Sequence, residues 1–90
     1  MSILVRYSPA ALTLDKYHQV DQQLQADWPP EGLEYHVAFG PQDNVRVSEI
    51  WSSREQWEAW SQRLLPVLQE AGVDLSTQPE LLEVHREERF

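Results

Sequence analysis

Apolar positions set the reading frame of this chain. Residues 2–7 form a short β-rich run that Ser8-Pro9 stops, which predicts a first strand. Thr13 is placed to cap a helix, and Leu14, Tyr17, Val20 and Leu24 then recur at helical spacing as its buried face, up to about Asp27. Trp28-Pro29-Pro30-Glu31-Gly32 cannot continue that helix, because paired prolines force extended backbone. Residues 33–39 read as a second strand with Leu33, Tyr35, Val37 and Phe39 on one face, and Gly40-Pro41-Gln42-Asp43 as a hairpin connection. In the third strand Val45, Val47, Glu49 and Trp51 share a face.

That strand runs through Ser52-Ser53 into the most strongly patterned stretch of the chain. Trp57, Trp60, Leu64, Val67, Leu68 and Ala71 form one apolar stripe of a second helix. Either serine can cap it, since Glu55 lies three residues after Ser52 and Gln56 three after Ser53. Pro66 predicts a kink or break near Leu65, and Gly72 supplies the permissive backbone of a helix end. Residues 80–88 alternate loosely as a fourth strand.

The order is β-α-β-β-α-β, an α+β ferredoxin-like arrangement. Right-handed crossovers place both helices on one face of a four-stranded antiparallel sheet. Residues 1–90 suit a single domain, too short for two independent cores. Strict alternation gives the helices Ile3, Val5, Tyr7, Leu33, Tyr35, Val37, Phe39, Val45, Val47, Trp51, Leu82 and Val84. It leaves Leu4, Arg6, Glu34, His36, Ala38, Arg46, Ser48, Ile50, Leu81, Glu83 and His85 on the other face. That second set is mixed rather than polar, as expected of a face covered by a second subunit, and predicts a homodimer.

Charge narrows the partners. Fifteen acidic against seven basic side chains give −8, which argues against nucleic acid and anionic membrane surfaces. There is no cysteine, hence no disulfide or thiolate chemistry. No apolar run is long enough to span a bilayer and the start lacks the features of a signal peptide, so the expected compartment is the cytoplasm. No HxxxH-type ligand spacing, Ser-His-Asp order or glycine-rich phosphate loop is present, and neither metal nor cofactor is expected.

The element order, the length and the stretch "VSEIWSSREQWEAWSQRLLPVL" resemble the dimeric α+β-barrel superfamily, which includes the antibiotic biosynthesis monooxygenase-like proteins. Small bacterial members are similar in a His-Val-Ala strand (His36-Val37-Ala38), a Val-x-x-x-Trp-x-Ser step (Val47 to Ser53), a Leu-x-Pro-x-Leu break and a late Val-His (Val84-His85). The resemblance implies two sheets packed face to face across a two-fold axis. It also implies cofactor-free oxygenation of aromatic compounds, or haem degradation, as activities of relatives. In the haem-degrading group a tryptophan at the end of strand three lines the cavity, and Trp51 matches it. The asparagine on strand one and the histidine in helix two of that group have no counterpart here.

Candidate site residues follow. Glu49 is a carboxylate between Val47 and Trp51 on the apolar face, suited to a general base if buried, or else paired with an arginine at the sheet rim. His36 and His85 fall on the two edge strands of the dimer-facing side, where His36 would meet the partner's His85 as a proton relay or as a plain interface pair. Trp51, Trp57 and Trp60 with Tyr7 and Tyr35 form either an aromatic wall for a flat ligand or simply the core. Two functions stay open: a cofactor-free, monooxygenase-like enzyme acting on a small aromatic or apolar metabolite, and a non-catalytic dimer that binds a ligand or another protein.

Overall fold

The computed structural model describes residues 2–90. Its elements are β1 (Ile3–Tyr7), α1 (Leu14–Leu24), β2 (Leu33–Phe39), β3 (Arg46–Trp51), α2 (Arg54–Glu70) and β4 (Glu80–Glu83), with a short 3₁₀ turn at Gln25–Asp27 extending α1. The four strands form one antiparallel sheet in the order β2-β3-β1-β4. This is the ferredoxin-like arrangement that the hydrophobic pattern predicts.

Both helices pack on one face. Val20 and Leu24 of α1, Trp60 and Val67 of α2, and Val5 and Trp51 of the sheet belong to one buried cluster, with Tyr17, Trp57, Leu64 and Leu68 against its edge. Thr13 caps α1 by accepting from the Lys16 amide, and Ser53 caps α2 by accepting from the Gln56 amide. Ser52 is engaged elsewhere, donating to the Glu34 carboxylate at 2.7 Å. At the far end, Gly72 takes a φ of 76°, its amide bonds Gln69 O, and the Val73 amide reaches back to Leu68 O. That pair of bonds is the Schellman closure which the glycine makes possible. The helix runs through Pro66 to Glu70, so of the kink or break expected near Leu65 the break is absent. The ring removes one amide from the ladder, while packing of the apolar stripe on both sides keeps the helical path.

Two strands depart from strict alternation. β2 carries an extra residue: Leu33 pairs with Trp51 and Tyr35 with Ile50, where an unbroken ladder would set Glu34 opposite Ile50. Beyond this bulge every side chain changes face. His36 and Ala38 therefore lie on the helix side, opposite Glu49 and Val47, while Tyr35, Val37 and Phe39 lie on the outer face. In β4, Leu81 pairs with Val5 and packs on the core, whereas Leu82 pairs with Leu4 and points outward. The strand ends at Glu83, so Val84 and His85 lie beyond it. The outer face thus gathers Leu4, Tyr35, Val37, Phe39, Ile50 and Leu82, and is more apolar than alternation alone suggests.

The caps give a direct test. Ser53→Ala should destabilise the fold by about 1 kcal/mol, because it removes the acceptor of the Gln56 amide. Pro66→Ala should be neutral or mildly stabilising, since the helix already accommodates the ring. Urea titrations of both variants check the pair; a larger loss for Pro66→Ala than for Ser53→Ala would contradict a continuous α2.

Candidate functional site

Glu49 is buried to 4 % relative exposure at the centre of the helix-facing side of β3. A carboxylate there needs partners, because an unpaired buried charge costs several kcal/mol. It has two. The Trp51 indole donates from Nε1 to Oε1 at 3.1 Å, and His36 Nδ1 lies 2.7 Å from Oε2. His36 is the cross-strand neighbour of Glu49. The β2 bulge is what brings the imidazole to this side.

The chain of bonds continues outward. His36 Nε2 is 2.7 Å from the hydroxyl of Tyr17 on α1. With Glu49 ionised, Nδ1 carries the proton and donates to the carboxylate, which leaves the Nε2 lone pair to accept from Tyr17. The imidazole is held in one plane by its neighbours: Trp28 meets it edge-on with ring centres 5.0 Å apart, and Trp60 stands 6.3 Å beyond Trp28. A separate bond joins the Trp57 indole to the Tyr7 hydroxyl at 2.8 Å.

Both phenols are pushed above the ordinary tyrosine range. For Tyr7, burial is the main cause, the negative charge of Glu49 adds to it, and the bond from Trp57 opposes it. For Tyr17, burial again leads, followed by the charges of Asp21 and Glu49. Each stays a neutral hydroxyl at physiological pH.

These groups border a cavity of about 350 Å³ between the sheet and the two helices. Trp28, Trp57, Trp60, Leu24, Leu64 and Leu68 are among its walls, and Tyr7, Tyr17, His36 and Glu49 are among its polar groups, with Asp21 and Asp74 also on its border. An aromatic wall around a few convergent polar atoms is what a small-molecule site needs. Among the described residues, no three His, Asp or Glu side chains come together as a metal-ligating group.

The placement of the sequence candidates is uneven. Glu49, His36, Tyr7 and Trp60 all border the cavity. Trp51 does not: it is fully buried beneath the site and orients Glu49 instead. Tyr35 is 45 % exposed on the outer face, because the bulge turns it away from the cavity. His85 lies past β4, beside a groove on that outer face. Since His36 faces the helices, a pairing of His36 with a partner's His85 across the outer face is not compatible with the observed register. Tyr17 and Trp28 were missed. The only signal for Tyr17 was its place on the buried face of α1, where a phenol tip needs a polar partner. Trp28 sat among prolines whose path the sequence does not reveal; the Trp28-Pro29 peptide is cis.

No protein-family model matches the sequence, and no curated protein matches it. Solved structures do match in shape. The cofactor-independent oxygenase SnoaB from Streptomyces nogalater superposes with a TM-score of 0.61 at 15 % identity, covering 96 % of this chain and 93 % of that one. A heme-degrading protein from Mycobacterium tuberculosis gives 0.65 at 14 % identity, covering 99 % and 100 %. A protein from Chloroflexus aurantiacus described as a putative antibiotic biosynthesis monooxygenase gives 0.61 at 13 % identity, covering 98 % of each chain. At these identities the likeness is one of architecture: the chain has the α+β fold of the antibiotic biosynthesis monooxygenase-like proteins.

Proposed function

We propose that the sheet-helix cavity binds a small aromatic metabolite and that His36, backed by Glu49, acts on it as a general base. The observation that carries this reading is the pair of buried Glu49 and half-buried His36 opening into an apolar cavity. A neutral imidazole with its Nδ1 proton on a carboxylate has one basic atom left, Nε2, and that atom faces the Tyr17 hydroxyl. A substrate hydroxyl or acidic C–H either takes the place of Tyr17 or passes its proton through it. The imidazolium formed is stabilised at once by the Glu49 carboxylate. Trp28, Trp57 and Trp60 orient the ring system and exclude water.

The fold neighbours include a cofactor-independent oxygenase, which supports a definite sequel. A deprotonated carbon next to an aromatic ring or carbonyl is electron-rich enough to reduce oxygen. A CH₂ group becomes C=O, one oxygen atom is retained, the other leaves as water, and the substrate supplies all the electrons. Haem suits the site poorly: His36, the cavity's only histidine, has both ring nitrogens engaged. No step is assigned to it.

The apolar outer face supports the second half of the reading, a homodimer formed sheet to sheet. Exposed Tyr35 and Leu82, with half-buried Leu4 beside them, would be covered by the same face of a second copy. Without catalysis, the same architecture would be a ligand-binding dimer.

Four measurements check these statements. Binding of a planar aromatic should quench tryptophan fluorescence, and Trp60→Ala should weaken it by about 1–2 kcal/mol. Under oxygen, Glu49→Gln should retain binding and lower turnover by about 10²–10⁴-fold, as loss of a base's counter-charge does; binding without turnover in the unmodified protein would leave the ligand-binding dimer. Light scattering should report twice the 10.5 kDa chain mass. Finally, Tyr7 has a raised folded-state pKa. Its neutral form gives full stability below about pH 10, where the unfolded phenol ionises, and that stability is lost as pH rises toward the folded value. Tyr7→Phe should flatten the alkaline fall in stability measured by urea titration.

A further inference from the structure

We propose that the cavity selects against anions: it admits an aromatic ligand that is uncharged or cationic and rejects the same ring bearing a carboxylate. The inference rests on the ligand-binding reading above and narrows its substrate class.

The argument comes from where the charges lie. Three carboxylates border the cavity, Glu49 on β3, Asp21 on α1 and Asp74 in the connection after α2. No arginine or lysine does. All seven basic side chains are placed elsewhere. Arg54, Arg63, Arg86 and Arg89 pair with Glu58, Asp27, Glu88 and Glu87. Lys16 donates to Gly72 O at the end of α2. Arg46 lies over the Phe39 ring on the outer sheet face, and the register puts Arg6 on that same face.

An anionic ligand would therefore leave water without gaining a counter-charge, next to a carboxylate already buried. His36 offers no relief, since any positive charge it takes up is balanced by Glu49. The tyrosines feel the same field: ionisation of Tyr17 is opposed by burial and then by Asp21 and Glu49. A neutral acid meets no such obstacle. If its proton passes to His36 inside the cavity, the total charge there does not change. A cation gains from both the carboxylates and the indole and phenol faces of the wall. The ligand thus enters with its acidic proton in place, and the anion forms only where an imidazolium accompanies it.

Cinnamyl alcohol, cinnamylamine and cinnamate share one skeleton and differ in charge at neutral pH. Titrated against the intact protein by tryptophan fluorescence and calorimetry, cinnamate should bind at least about tenfold more weakly than the alcohol. Asp21→Asn combined with Asp74→Asn should narrow that gap and weaken the amine. Cinnamate binding as tightly as the alcohol would overturn the selectivity while leaving the ligand-binding reading intact. If none of the three binds, the ligand-binding reading fails and the selectivity with it.

Discussion

The fold is arranged around one awkward commitment, a carboxylate placed in the middle of its own core. Glu49 can be there only because an indole and an imidazole satisfy its two oxygens. Removing one partner from such a buried pair costs about 3–5 kcal/mol, a large share of the roughly 5–15 kcal/mol that stabilises a small domain. Other placements follow from it. Trp51 is fully buried, in position to donate to Glu49, α1 lies close enough for Tyr17 to reach the imidazole, and Trp28 meets that ring edge-on. A hydrophobic side chain at position 49 would pack more cheaply, which is why its presence invites a functional explanation.

The two faces of the sheet divide the work. The helix side holds the core, the cavity and the polar chain through Glu49, His36 and Tyr17. The outer side gathers Leu4, Tyr35, Ile50 and Leu82 beside Arg6, Arg46 and Ser48, and the segment after β4 is tied to it where the Val84 amide bonds Ser2 O and Arg89 bonds Glu34 O. Tyr35 and Leu82 stay open to solvent between those anchors. On the proposed reading, ligand chemistry and assembly would take opposite surfaces of one sheet.

The sequence carried the architecture well because both helices are long, capped and strongly striped. Thr13, Ser53 and Gly72 each do the job their residue type suggests. Glu49 was legible for a similar reason, as a polar break in an apolar face. The composition of the cavity wall was only half legible. Trp57 and Trp60 lie on a regular stripe, but Trp28 follows a path through prolines that no periodicity describes. Assignments in β2 failed for a different cause. Alternation is a local rule, and a bulge leaves no mark in a run such as "LEYHVAF" because each residue type there suits either face. β4 is four residues long and its flanks look alike, so its register rests on pairing with β1 rather than on its own pattern.

The bulge in β2 means the site is encoded in a register as much as in an identity. Run the ladder unbroken from Leu33, with Glu34 opposite Ile50 and Tyr35 opposite Glu49, and not one residue of the strand changes. The imidazole would nevertheless emerge on the outer face and a phenol would take its place beside Glu49. Two chains of this fold could thus share a histidine, a glutamate and nearly every other letter of the strand, yet present different chemistry to the same cavity. Comparing such chains column by column would pair the wrong residues. Comparing them by which side of the sheet each residue occupies would not.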